Sequence, residues 1–132
     1  MPKTVFIPKT DYGEDIKWCY SRIYDQLERV NYSTLTHAPI NFFLYMESAA
    51  SLLNLREIIE TAIQQSHQKY RDAFKLEGFV FGSDDFCADI GAERTKEAAE
   101  LTYARQMLVT YCKAFKLKVV DMVYIDYKGN VL

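Results

Sequence analysis

The sequence predicts an α/β fold built on a parallel sheet, and three observations carry that reading. Four short apolar segments, rich in β-branched and aromatic residues, have the length of strands. Segments with apolar residues at steps of three and four, the period of an amphipathic helix, lie between them. The two kinds alternate as β-α-β-α-β-α-β, which implies parallel strands joined by right-handed helical crossovers. Strands that are apolar nearly throughout read as covered on both faces.

The first strand is expected over residues 4–8 (TVFIP). The first helix comes next, with Ile16, Cys19, Ile23, Leu27 and Val30 on one stripe. Asp11 with Glu14 three positions later resembles a capping box, with Asp in the Ser/Thr role. The second strand is expected over 41–47 (NFFLYME). A helix beginning near Ser48 then carries Leu52, Leu53, Leu55, Ile58, Ile59, Ala62 and Ile63, and Asn54 followed by Glu57 marks a restart or cap. The third strand is expected over 78–82 (GFVFG). A third helix is expected from Arg94 to Phe115, with Ala98, Leu101, Ala104, Leu108, Val109, Cys112 and Phe115 as its stripe. Lys113, Lys116 and Lys118 cluster near its C-terminal end, where the helix dipole favours cations. The fourth strand is expected over 119–126 (VVDMVYID). Residues 31–40 and 64–77 read as polar connectors.

The 132 residues make one domain, residues 1–132, and are too few for two ordinary ones. A hydrophobic content of 49% excludes a disordered chain. The balance of 16 basic against 18 acidic residues, a net charge of −2, argues against a dedicated nucleic-acid surface. Apolar runs fall short of the roughly 18 residues a membrane span requires, so no membrane partner is expected. The first residues carry neither an apolar signal core nor a transit pattern. Cys19, Cys87 and Cys112 are widely spaced without C-x-x-C, so a structural zinc is disfavoured and reduced, partly buried thiols are expected. His37 and His67 lie in polar stretches without triad partners. No nucleophile elbow, dinucleotide fingerprint or Walker loop occurs.

One spacing points to a site. Lys9, Glu47 and Asp85 succeed one another at intervals of 38, each at or just past the end of a strand. In a parallel sheet those ends share a rim, so the three side chains are expected side by side. Glu47 taken alone reads best as a carboxylate at a helix N-terminus. The segment Gly82-Ser83-Asp84-Asp85 reads either as a helix N-cap with an extra acid or as an oxygen-rich metal site. Two neighbouring aspartates do not readily point at one spot, so one is expected to be a ligand and the other to face elsewhere. Two carboxylates on neighbouring strand ends suit Mg²⁺, which takes few hard oxygen ligands from protein. Arg105 could pair with Glu97, Glu100 or a rim carboxylate. Asp121, inside the fourth strand, is expected to have a structural hydrogen-bonding role, and Asp126 at its end could join the rim.

These residues resemble a known family. The segment 78–86 (GFVFGSDDF) with Ala88-Asp89-Ile90-Gly91-Ala92 is similar to the metal-site loop of the HpcH/HpaI aldolase and citrate lyase β-subunit family. Met46-Glu47-Ser48-Ala49 with Leu53-Asn54 and Glu57-Ile58 resembles that family's second signature, and Phe6-Ile7-Pro8-Lys9 its preceding strand. Tyr103-Ala104-Arg105-Gln106 and residues 120–126 resemble the next helix and strand. The resemblance implies a partial TIM (β/α)₈ barrel of about four consecutive parallel βα units. It implies Mg²⁺ held by Glu47 and Asp85, and a 2-oxo acid carboxylate held by the loop at Gly82, Ser83 and Asp84. The implied reaction is carbon–carbon cleavage of citramalyl-CoA or a related 3-hydroxyacyl-CoA to acetyl-CoA and a 2-oxo acid. The resemblance also implies a mitochondrial location and a homo-oligomer, a trimer. A complete barrel needs roughly 250 residues, so the chain is expected to be a central fragment with weak or no turnover, its proton-transfer acid/base lying elsewhere. Two alternatives stand beside this: a non-catalytic fragment that associates with full-length subunits through open strand edges, and a receiver-like signalling domain. Against the latter, the aspartate pair comes after the third strand rather than the first.

Overall fold

A computed structural model describes residues 3–31 and 38–124. The elements are β1 (Thr4–Ile7), α1 (Gly13–Arg29), β2 (Ile40–Met46), α2 (Ala49–Leu53), α3 (Leu55–Lys69), β3 (Phe74–Phe81), α4 (Ser83–Ile90), a 3₁₀ turn (Ala99–Leu101), α5 (Thr102–Ala114) and β4 (Lys118–Val120). The strands form one sheet in the order β1-β2-β3-β4, every neighbouring pair parallel. The α/β reading therefore holds.

Alternation along the strands decides which face is the core. Phe42, Leu44 and Met46 of β2 and Phe74, Leu76, Phe79 and Phe81 of β3 are buried. Tyr20 of α1 lies against Phe42 and Phe74, with ring centroids 5.2 and 4.6 Å apart, so this face packs on the helices. The opposite face differs from expectation. Phe6 is 52% exposed and stacks on Phe43 at 5.3 Å, and Asn41, Phe43 and Tyr45 are only half-buried. Among the described residues the sheet is thus covered on one face, although its sequence is apolar on both.

Several boundaries move. β3 begins at Phe74, four residues before Gly78. Its first half alternates apolar and charged, and Lys75 and Glu77 give it the look of a connector. Phe42 pairs with Leu76 and Phe43 with Gly78, so Glu77 is the extra residue of a bulge. Glu77 turns to Lys75 at 2.9 Å and to Lys118 at 2.5 Å. Lys118 is therefore a strand residue and not part of a helix C-terminus. Gly78 is required where it stands: a Cβ there would lie 2.4 Å from the Lys118 carbonyl oxygen and 2.8 Å from the Phe43 ring.

The first helix is capped by Asp15 and not by the Asp11–Glu14 pair. The Asp15 carboxylate accepts the N–H groups of Asp11 at 3.0 Å and Tyr12 at 2.9 Å, while Glu14 pairs with Lys17. The restart at Asn54 is present: α2 ends at Leu53 and α3 begins at Leu55. Residues 83–90 form a separate helix, and 94–98 are not helical. Ala98 is left-handed at φ 53°, which no continuous helix accommodates. β4 ends at Val120, so Asp121 lies past the strand, where its carboxylate pairs bidentately with Arg105. Ile125 and Asp126, like His37, lie outside the described residues. His67 is exposed beside Asp72. Cys87 and Cys112 are buried and Cys19 is half-buried, all three with free thiols. Burial pushes the Cys112 thiol up to about 12.

Two of these pairs fix the sign of the acid response. The ammonium groups of Lys118 and Lys75 hold Glu77 below the usual carboxylate range, and Arg105 does the same for Asp121. The unfolded chain therefore binds more protons in acid than the folded one. The stabilisation is complete above the ordinary carboxylate range and is lost as pH falls through the depressed native values. Urea midpoints measured from pH 7 down to pH 3 are expected to fall, and Glu77→Gln with Asp121→Asn is expected to flatten that dependence.

Candidate metal centre

The site is built from residues just past the strand ends, at one rim of the sheet. Glu47 comes directly after the last residue of β2. Its entry into α2 is fixed by Ser48, whose hydroxyl accepts the Ser51 N–H at 2.9 Å, and by Ser51 Oγ, which accepts the Glu47 N–H at 3.2 Å. Glu47 is only 6% exposed. A buried carboxylate needs donors or a counter-charge, and the backbone N–H of Lys9 provides one, donating to Glu47 Oε1 at 2.8 Å.

Asp85 stands in the first turn of α4, on the neighbouring strand end. It accepts a hydrogen bond from Lys9 Nζ at 2.5 Å, and the same nitrogen lies 3.7 Å from Glu47 Oε1. The three residues spaced at 38 thus converge, and both carboxylates meet one positive group. The hydrogen bond and charge of Lys9 hold the Asp85 carboxyl below its ordinary range, and Asp85 in turn raises the Lys9 ammonium.

Asp84 goes elsewhere. Its carboxylate pairs with Arg94, whose second terminal nitrogen donates to the Val123 carbonyl oxygen. Successive residues of a helix point about 100° apart, which separates the two aspartates. Ser83 is 1% exposed, and its hydroxyl has no hydrogen-bond partner. The Gly82 N–H is already taken by the Met46 carbonyl oxygen at 3.0 Å, so it is not a donor for a substrate carboxylate. The N–H groups of Ser83, Asp84 and Asp85 are the first of α4, where a helix leaves donors without intrahelical acceptors.

Gly82 has a second role. A Cβ at this position would lie 2.6 Å from Glu47 Cβ and 2.8 Å from Glu47 Oε2. The absence of a side chain at 82 is what allows Glu47 to stand between the two strand ends. Gly82→Ala is expected to displace the Glu47 carboxylate and to cost about 1–3 kcal/mol through overpacking. Thermal unfolding together with Mn²⁺ titration checks both effects.

A set of contacts that the sequence did not signal holds the rim loops in place. The Asp11 carboxylate accepts the Ser48 hydroxyl, and its carbonyl oxygen accepts Asn54 Nδ2 at 3.0 Å. Asp89 accepts the Ala49 N–H at 2.8 Å, and Glu57 accepts the Gly13 N–H at 3.1 Å. Buried Thr10 donates to the Tyr45 carbonyl oxygen at 3.1 Å. Arg94 and Asp89 are residues whose pairing could not be read from spacing. Arg105, expected beside Glu97, Glu100 or the rim, lies instead with Asp121 in the wall of a cavity of about 750 Å³ between α5 and the ends of β3 and β4. Neither Lys9, Glu47 nor Asp85 lines that cavity.

Among the described residues no group of three or more His, Cys, Asp or Glu side chains converges. Among the described residues the rim therefore offers two carboxylates. That number suits Mg²⁺, which keeps most of its water and binds protein through one or two carboxylates. The Lys9 ammonium marks the point where a cation meets both.

Comparison with known proteins places the chain in a family. The family profile described as HpcH/HpaI aldolase/citrate lyase matches residues 1–130. The human protein named citramalyl-CoA lyase, mitochondrial, is 33% identical over 130 residues, covering 98% of this chain and 36% of the relative. The mouse protein of the same name is 32% identical over the same span. The chain thus spans about a third of the length of the curated relatives it matches. Among solved structures, RipC from Yersinia pestis matches at TM-score 0.66 and 24% identity, over 98% of this chain and 48% of that one. The CitE protein from Mycobacterium tuberculosis, solved with magnesium and acetoacetate, matches at 0.61 and 18%, over 96% and 43%. These likenesses establish the fold: four consecutive parallel strands with their connecting helices, part of an α/β barrel of the citrate lyase β-subunit type.

Proposed function

The chain belongs to the HpcH/HpaI aldolase/citrate lyase family, and from that membership we propose that its rim is the cation-binding part of a carbon–carbon lyase site acting on an acyl-CoA thioester. The substrate class is citramalyl-CoA or a related 3-hydroxyacyl-CoA, and the products are acetyl-CoA and a 2-oxo acid. The observation that carries the reading is the meeting of Glu47 and Asp85, from adjacent strand ends, at a single positive group.

Glu47 and Asp85 would hold Mg²⁺. When bound, the ion supplies a Lewis acid that neutralises charge at the oxygen becoming the carbonyl. The chain's own groups position the ion and the substrate carboxylate. The Lys9 N–H fixes Glu47 Oε1, and Gly82 leaves the room that carboxylate occupies. The N–H groups of Ser83, Asp84 and Asp85 at the head of α4 orient the substrate carboxylate as preorganised dipoles. In the cleavage the 3-hydroxyl gives up its proton, and the bond between the hydroxyl-bearing carbon and the thioester α-carbon breaks. Its electron pair passes to the α-carbon as the enolate of acetyl-CoA, which takes up a proton. The hydroxyl-bearing carbon leaves as the 2-oxo acid. We place the protein in the mitochondrion with the curated relatives.

The test is calorimetric titration of the 132-residue chain with Mg²⁺, then incubation with citramalyl-CoA and enzymatic detection of pyruvate. Saturable binding that Glu47→Gln removes supports the reading. A chain that takes up no divalent cation at millimolar concentration overturns it.

One observation favours a second mode of action for the same fold. Among the described residues β1 is an edge strand, and its Phe6 is exposed, a surface suited to association with another subunit of the family. Co-purification of the tagged chain with a full-length subunit supports that association, and light scattering of the pure chain reads whether it also assembles into the trimer.

A further inference from the structure

We propose that Lys9 is a tethered counter-ion of the Glu47–Asp85 pair: its ammonium occupies the cation position while no divalent ion is there, and it must leave as one enters. The proposal rests on the reading of Glu47 and Asp85 as cation ligands.

Three features of Lys9 carry it. Its backbone is fixed at the pair, because its own N–H donates to Glu47 Oε1 at 2.8 Å. Its φ of 55° is left-handed, a conformation a lysine keeps only where its surroundings impose it. With the backbone set in this way, the side chain reaches back over the rim, and Nζ contacts Asp85 Oδ2 while standing 3.7 Å from Glu47 Oε1. The side chain is nevertheless 65% exposed. Packing does not hold the ammonium in place; its contacts are with the two carboxylates.

The electrostatics then leave two states. Without a cation, a nearly buried glutamate beside a second carboxylate is unfavourable, and the tethered ammonium relieves that repulsion. With a divalent ion on the same oxygens, an ammonium at these distances would be repelled by it. A buried lysine would be a permanent occupant. An exposed one on a flexible stem swings into water at the cost of a surface ion pair, which is small. Lys9 thus keeps the two carboxylates in register before the ion arrives and lowers the affinity for that ion by competing with it. The freed ammonium then stands at the rim, exposed to reagents.

Mn²⁺ titration monitored by electron paramagnetic resonance, on the native chain and on Lys9→Met, tests the competition directly. The variant is expected to bind about two- to fivefold tighter, the worth of the exposed ion pair of Lys9 with Asp85. The difference is expected to shrink as salt is raised. Lys9→Gly suits the left-handed backbone and keeps the N–H bond to Glu47, so it replaces the methionine variant should that one fold poorly. An independent readout is acetylation of Lys9 in the native chain, measured by peptide mass spectrometry. It is expected to accelerate severalfold at saturating Mg²⁺, with Lys3 and Lys17 as references. Equal or weaker Mn²⁺ binding in both variants, with binding still lost in Glu47→Gln, overturns the counter-ion role and leaves the metal reading standing. Absence of Mn²⁺ binding in the native chain and in both variants overturns both.

Discussion

Phe42→Ala is expected to lower the unfolding free energy of the chain by about 3–5 kcal/mol, the range for a large buried ring replaced by a methyl group. Phe42 has no exposed surface and lies at the centre of the layer between sheet and helices. Its ring meets Tyr20 at 5.2 Å and Phe74 at 5.3 Å. Those rings are themselves locked: Tyr20 meets Tyr70 at 6.0 Å, and Tyr24 meets Tyr70 at 5.0 Å. Stiff rings wedged against one another cannot collapse into the space left by a deleted phenyl group, so the cavity term adds to the lost transfer energy. A domain of this size has a total stability of about 5–15 kcal/mol, and the variant loses much of it. Denaturant unfolding monitored by circular dichroism reads the effect. Phe6→Ala, on the exposed face, is the control and is expected to cost much less. A loss below about 1 kcal/mol at Phe42 would mean that this layer is not the core.

The order of strands and helices is legible in the sequence because local pattern and global topology agree here. β2 is apolar in every residue but Asn41, and α1 and α3 keep their stripes over about four turns. The departures have physical causes. Only the apolar half of β3 reads as a strand, since Lys75 and Glu77 belong to a bulged segment whose charges are satisfied by one another and by Lys118. Helix α4 is missing from the expected helices, although its start reads as a possible N-cap, because its eight residues, between Gly82 and the left-handed Gly91, are too few to show a period. The helix expected from Arg94 starts late because tertiary contacts outweigh propensity: Arg94 is drawn to Asp84 and to the Val123 carbonyl oxygen. The capping residue is misplaced by one position, which is enough to exchange Asp15 for Glu14.

The rim is more legible than the elements that carry it. A spacing of 38 between Lys9, Glu47 and Asp85 counts one strand and one helical crossover per unit, and a parallel sheet brings such positions together whatever the exact boundaries. Spacing could not tell which of two adjacent aspartates faces the rim. That depends on the rotation of α4, which buried Phe86 and Cys87 set by packing into the core.

That rotation makes the last prediction a comparison of neighbours. Asp85→Asn is expected to weaken divalent-cation binding by at least about 100-fold, more than the loss usual for residues that merely support a ligand. The amide keeps the shape but loses the charge, and Glu47 alone offers one carboxylate to an ion that needs hard anionic oxygen. Asp84→Asn, one residue away, is expected to leave binding within about threefold, the scale of a nearby exposed charge. Its carboxylate is turned away from the rim and engaged with Arg94. That variant is expected to show instead a lowered midpoint of unfolding, because Arg94 is largely buried and loses its charge partner. Mn²⁺ titration and thermal unfolding of the two variants side by side read both quantities. Should Asp84→Asn abolish binding while Asp85→Asn spares it, the ligand is the other aspartate. The convergence of Glu47 and Asp85 on Lys9 would then be an ion pair without a role in holding metal.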